Sequence, residues 1–184
     1  MNTTLLFLSL MVPGTFFLGL NDVLVRKVLR SGKVDQQFLL AFNFLSVGVI
    51  LAPILLVTGL PEIKAGFWTA LCITAGLNIF AQWAWYSAFK REEASLIAPL
   101  RLLTPPLVIL TGFFVLGEQP SLVGIAGIAV TILGLWLLVD SEARRGKVKF
   151  REIVKRPGVL LGLWGAVSFA ISFPFDKKTV LTSS

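Results

Sequence analysis

Apolar residues run almost unbroken along this chain, in stretches separated only by short polar clusters. About 20 consecutive apolar residues carry a helix across the hydrocarbon core of a bilayer. Six stretches of that kind are present: Leu5 to Val25, Gln36 to Thr58, Gly66 to Phe89, Ala94 to Leu116, Ser121 to Val139, and Gly158 to Phe175. They are continuous and rich in Leu, Ala and Gly, without the alternation of a membrane β-barrel. Helices are then the remaining way to satisfy the backbone inside lipid. The pattern predicts an all-α fold, a polytopic transmembrane helix bundle of about six spans. The opening "MNTTLLFLSLMVPG" has no basic start and no small-residue cleavage pattern before Asn21-Asp22, so it reads as a span and not a signal peptide.

Composition agrees: 55% of residues are hydrophobic, 15% are charged, and mean hydropathy is +0.83. The net charge of +7 would suit a nucleic-acid ligand until the charges are placed on the spans. Of the 17 Lys and Arg, 13 fall in the connections after spans one, three and five: Arg26, Lys27, Arg30, Lys33, Lys90, Arg91, Arg144, Arg145, Lys147, Lys149, Arg151, Lys155 and Arg156. The opposite side holds Lys64, Lys177 and Lys178, and the seventeenth is Arg101, inside a span. Cytoplasmic loops carry the excess of Lys and Arg. The expectation is an integral protein of the cell (plasma or inner) membrane with its N-terminus outside, partnered by the lipid bilayer and by no nucleic acid. There is no histidine, and the single Cys72 lies inside span three. His-based catalysis, a His-built metal site and an intrachain disulfide are therefore excluded, no cofactor is indicated, and an enzyme is disfavoured.

One long polar stretch, "DSEARRGKVKFREIVKRPG" from Asp140 to Gly158, mixes charge with Val148, Phe150, Ile153 and Val154 and reads as a short surface helix or ordered loop. It divides a five-helix unit, 1–140, from a sixth helix in 158–184, with 141–157 as a basic cytoplasmic connection. A shift of 151 residues lays Gly14 on Gly165 and Arg26-Lys27 on Lys177-Lys178. An odd number of helices per repeat turns the second repeat upside down, as in many secondary transporters. Residues 158–184 would then be the first helix of an incomplete second repeat, the remainder coming from missing sequence, a second half or a homodimer partner.

Within the spans, polar residues fall on definite faces. Thr74, Asn78, Gln82 and Tyr86 form a stripe at a spacing of four on span three, which lipid does not accept, so this face looks inward. It serves interhelical hydrogen bonding or lines a substrate path. Span one adds Thr15, Gly19, Asp22 and Arg26 on one face, and span two adds Asn43 and Ser46. With about 1.5 Å of rise per residue, Arg101, Asn43 and Gln82 each lie roughly 10 Å in from the basic side, and Asp22 about 5 Å. Asp22 is the one carboxylate within reach of Arg101 at that level. Arg101 either faces inward with Asp22 as its partner or snorkels to the headgroups. Pro105, followed by Pro106, removes backbone donors and kinks span four, as a static bend or as a hinge that gates the helix. Gly124, Gly127 and Gly134 read as a packing seam on span five. Glu118, in the short turn before that span, reads as its cap.

From Ala81 to Val139 these features link into "W..YSAF...EASLIAPL..L.PPLVIL.GFFVLGEQPS...IAGIAV.ILGLWLL". This resembles the EamA domain of the drug/metabolite transporter superfamily, in the aromatic end of span three, the "EASLIAP" start of span four, the "LGEQPS" turn and the glycines of span five. The resemblance implies a ten-helix transporter of two five-helix repeats that moves small metabolites, often outward and often driven by an ion gradient. In such a transporter, the faces and depths read above would place the substrate path among Asn43, Asn78, Gln82, Tyr86 and Arg101, with Trp83 and Trp85 beside them and Asp22 as ion-pair or proton-exchanging partner. A non-transporting membrane scaffold or assembly subunit is the alternative.

Overall fold

The computed structural model describes residues 3–59, 61–145 and 150–183, and among the described residues every regular element is helical. Helix α1 (Thr3–Arg30) leads to α2 (Gln36–Thr58) and α3 (Phe67–Arg91). The fourth stretch is broken into α4 (Ala94–Ile97), a 3₁₀ segment (Ala98–Leu103) and α5 (Thr104–Leu116). Then come α6 (Leu122–Arg145), the short α7 (Phe150–Val154) and α8 (Pro157–Leu181). Lys147, Val148 and Lys149 of the expected connection lie outside the described residues; α7 supplies its expected short helix.

By length and composition, Gln36–Val57, Ala94–Leu116, Leu122–Ser141 and Pro157–Leu181 are long and apolar enough to cross a membrane. Helices α1 and α3, of 28 and 25 residues, have the length but carry more polar side chains. For α3 the reason is position: it is the central helix, and other helices rather than lipid cover its polar face.

The densest contact in the molecule is between α3 and α8, followed by α5 with α8. Small residues set it. Gly158, Gly162 and Gly165 lie at spacings of four and three on the face of α8 that meets Glu92, Leu100 and Trp85. A methyl group at Gly165 would stand 2.8 Å from the Trp85 indole nitrogen, so only a bare backbone fits there. Trp85, Tyr86, Phe89 and Ile97 are the large apolar side chains buried almost completely at this junction. By contrast, Gly127 and Gly134 on α6 meet nothing within 4 Å. Of the expected glycine seam on span five, only Gly124 meets a neighbouring helix, at Ile109 of α5, and the tighter seam is on α8.

Burial is uneven. Half of the most apolar window of α8 is inside the bundle, and none of that of α2. Helix α2 touches the rest near its start, where Leu39 and Leu40 pack against the core and the Gln36 side-chain amide donates to the Trp83 carbonyl (3.2 Å) and the Ser87 hydroxyl (2.7 Å). The outer faces of α1, α2 and α6 are apolar and exposed, as a bilayer requires.

Two proline problems are solved locally. Pro105 and Pro106 deprive the carbonyls of Arg101 and Leu102 of their i+4 donors. Winding tightens to 3₁₀ instead, and the Thr104 N–H donates to the Arg101 carbonyl. Pro174, inside α8, leaves the Ala170 carbonyl without its donor, and the Thr111 hydroxyl of α5 donates to it at 2.6 Å. At the next turn Gly117, with φ of 70°, ends α5 in a conformation glycine tolerates best, its N–H on the Phe113 carbonyl.

Candidate functional site

The break in the fourth span presents Arg101, whose side chain reaches across to α1. Its Nη2 lies 3.0 Å from Oδ1 of Asp22, and the two side chains are 27% and 8% exposed. The guanidinium carbon also sits 4.9 Å from the centre of the Trp85 ring, a cation–π contact from α3. Trp85 is fully buried and is itself backed by Gly162 and Gly165 of α8. Arg101 is thus held by a carboxylate from α1 and an aromatic face from α3, and α8 fixes that face from behind.

The same place collects unsatisfied polarity. Among the described residues, the buried side-chain nitrogen and oxygen atoms without a hydrogen-bond partner are Asp22 Oδ1, Arg26 Nε, Trp85 Nε1, Tyr86 Oη and Arg101 Nε. All belong to this layer or to the next turn of α1. The Arg101–Asp22 contact is close but lacks hydrogen-bond alignment, so the ion pair leaves both groups with capacity to spare. Buried polar atoms are normally paired, with protein or with ordered water, so a cluster of exceptions calls for an explanation. One turn further toward the basic end, Arg26, Lys27 and Arg30 line a cavity of about 280 Å³ with Val23 and Ala94. The arrangement offers N–H and O–H donors and positive charge to an anionic group entering between α1 and α4.

Only part of the expected constellation meets here. Asp22, Arg101 and Trp85 are in contact, and Tyr86 is buried on the next position of α3. Asn43 and Gln82 are half-buried and make no hydrogen bond to the pair; the Asn43 carbonyl accepts from Ser46. Trp83 points out of the bundle, 39% exposed. Pro105 is exposed while Pro106 is buried.

Asn78 belongs to a second cluster. Its amide donates to Thr74 Oγ1 (3.2 Å), and its carbonyl oxygen accepts from the Ser172 hydroxyl (3.4 Å). Thr74 donates to Asp176. The polar stripe of α3 is therefore divided: Thr74 and Asn78 bind α8, whereas Gln82 and Tyr86 do not join that cluster. Sequence reasoning missed Ser172 and Asp176, although Ser168, Ser172 and Asp176 repeat every four residues in an otherwise apolar helix, the complement of the α3 stripe. It also misassigned Glu118. The cap of α6 is Ser121, whose Oγ accepts the Gly124 N–H at 3.0 Å, whereas Glu118 pairs with Lys177 of α8.

Comparison with known proteins agrees with this architecture. Residues 5–140 match the EamA-like transporter family. An "Uncharacterized transporter" of Archaeoglobus fulgidus is 28% identical over 140 residues, which cover 72% of this chain and 47% of that protein. The chain thus spans about half the length of the curated relative it matches. No solved structure matches it. With three quarters of its length inside the family's limits and an apolar helical bundle as its fold, the chain belongs to the EamA-like transporter family.

Proposed function

We propose that this chain is the substrate-gripping part of a secondary transporter that moves small metabolites carrying an anionic group, outward across the cell membrane, at the expense of an ion gradient. The observation that carries the reading is the Arg101 layer. A guanidinium sits at a break in a span, held by one carboxylate and one indole face, and the unpartnered buried polar atoms gather around it. Irregular backbone at membrane depth is tolerated where it lines a cavity, and discontinuous helices build the binding sites of many transporters.

In this reading the substrate anion competes with Asp22 for Arg101. Asp22, released, takes a proton or turns to Arg26, which stands one turn away on the same face of α1. That exchange couples occupancy to charge. The 13-to-3 bias of basic residues supports an external N-terminus and a cytoplasmic connection at 141–157. A second half or a second copy would close the exposed side of α1 and α2. The 3₁₀ break before Pro105 supplies the place where the fourth span bends.

The test is counterflow into proteoliposomes with a panel of labelled organic acids and zwitterions, comparing the wild type with Arg101→Ala, Arg101→Lys and Asp22→Asn. Flux in the wild type that is lost in Arg101→Ala and altered in its dependence on the proton gradient in Asp22→Asn supports the proposal. Unchanged flux in Arg101→Ala removes Arg101 from the site, and absence of wild-type flux for the whole panel favours a scaffold.

A further inference from the structure

A groove on the far side of the broken span takes no part in the site above. It has a volume of about 320 Å³ and is bounded by Leu100 from the 3₁₀ segment, Leu135, Trp136 and Val139 from α6, Ile153 from α7 and Leu163 from α8. Helices α6 and α8 hardly touch one another, so the groove is the gap between them. Its floor is closed: Leu100, Leu135, Val139 and Ile153 are each at most 8% exposed. Its mouth is open: Trp136 is 52% exposed on the face of α6 turned outward. The lining is apolar throughout, which gives water no partners. An apolar gap between membrane helices is filled by what surrounds them, and dispersion contacts are forfeited if nothing enters.

The rim at the basic end supplies the second half of the argument. Helix α7 is amphipathic across its short length, with Ile153 and Val154 in the groove and Arg151 and Lys155, one turn apart, exposed. Arg144 is paired with Asp140 and Arg156 with Glu92, whereas Arg151 and Lys155 have no ion-pair partner among the described residues. From Asp140 to Arg156 the sequence holds seven basic residues against three acidic ones, Asp140, Glu142 and Glu152. Positive charge thus flanks the two residues, Ile153 and Val154, by which α7 borders the apolar slot.

We infer that this groove is a binding site for an anionic phospholipid, one acyl chain lying between α6 and α8 and the headgroup phosphate held by Arg151 and Lys155. The lipid acts as a spacer. It fills the gap that α7 spans and keeps α6 at a fixed distance from α8 while α8 stays docked on α3. The inference rests on the membrane location of the chain and not on the transport reading, so either can fail alone.

The test uses the full chain in phosphatidylcholine vesicles doped with phosphatidylglycerol or phosphatidylcholine brominated on the acyl chain. Trp136 emission is isolated as the difference between the wild type and Trp136→Phe. Each basic residue near the surface contributes about a fivefold preference for an anionic lipid at low salt. Brominated phosphatidylglycerol is expected to quench Trp136 at a mole fraction at least about fivefold lower than brominated phosphatidylcholine. Arg151→Gln with Lys155→Gln, both exposed and harmless to folding, should abolish the preference while leaving quenching by phosphatidylcholine unchanged. Equal quenching by the two lipids in the wild type, or a preference that survives the double substitution, would overturn the inference. So would a Trp136 that neither lipid reaches, since protein would then cover the groove.

Discussion

Replacing Gly165 by alanine tests the central packing of the molecule. The added methyl would lie 2.8 Å from Nε1, 3.0 Å from Cδ1 and 3.1 Å from Cε2 of Trp85. Those atoms belong to a rigid, fully buried ring, so no flexible side-chain end can yield. Overpacking of a close-packed interior costs about 1–3 kcal/mol. The better helix propensity of alanine returns roughly 0.5–1 kcal/mol. The net loss should be about 1–2 kcal/mol, read as a lower midpoint in an SDS titration of the micellar protein followed by far-UV circular dichroism. Because the displaced indole is also the surface on which Arg101 rests, the Arg101–Asp22 coupling should weaken in the same variant. The neighbours rank themselves. Gly162→Ala meets the mobile end of Leu100 at 2.9 Å and should cost less. Gly127→Ala and Gly134→Ala on α6 meet nothing and should be neutral or stabilising. A Gly165→Ala protein as stable as the wild type, or α6 variants that lose as much, would refute the assignment of the seam to α8.

Arg101→Ala leaves the Asp22 carboxylate, 8% exposed, without its partner, and the double variant Arg101→Ala with Asp22→Ala should recover part of the loss. A double-mutant cycle by SDS titration should give a coupling of about 0.5–3 kcal/mol, toward the low end because Arg101 is itself partly exposed. Thr111→Val removes the hydroxyl that answers the Ala170 carbonyl and should cost about 0.6–2 kcal/mol. Pro174→Ala, which restores an N–H to that carbonyl, should make the Thr111 substitution nearly silent; an equal cost in both backgrounds would contradict the explanation. Glu118→Gln should change stability by less than about 1 kcal/mol, and raised salt should erase the difference, since both partners are half exposed.

The contact between Asp22 and Arg101 is legible in the sequence because few charged residues lie inside spans and depth along a helix follows from counting residues. The break at Pro105 and Pro106 is legible too, although not its 3₁₀ winding, which depends on whether a neighbouring donor or a tighter turn answers the orphaned carbonyls. The division of the α3 stripe is not legible. Which half of Thr74, Asn78, Gln82 and Tyr86 faces α8 depends on how deep α8 sinks, and that is decided by Gly158, Gly162 and Gly165 meeting Trp85 and Leu100. Gly127 and Gly134 of α6 carry the same local signal with nothing against them. Spacing alone says that a backbone can be approached and not what approaches it. Glu118 misleads for a related reason: a carboxylate one turn before a helix looks like a cap until a lysine from a helix 59 residues away claims it.

The docking of α8 on α3 bears on how the protein is made. Thr74 finds Ser172 and Asp176 only across 98 and 102 residues of chain, with two further spans threaded in between. During synthesis α3 must leave the ribosome and enter the membrane with its amide, hydroxyl and indole groups bare, and wait for its mate. The insertion machinery therefore has to shelter α3 through the arrival of the fourth and fifth spans, and a nascent chain halted before Pro157 would leave Thr74 and Trp85 without the helix that covers them.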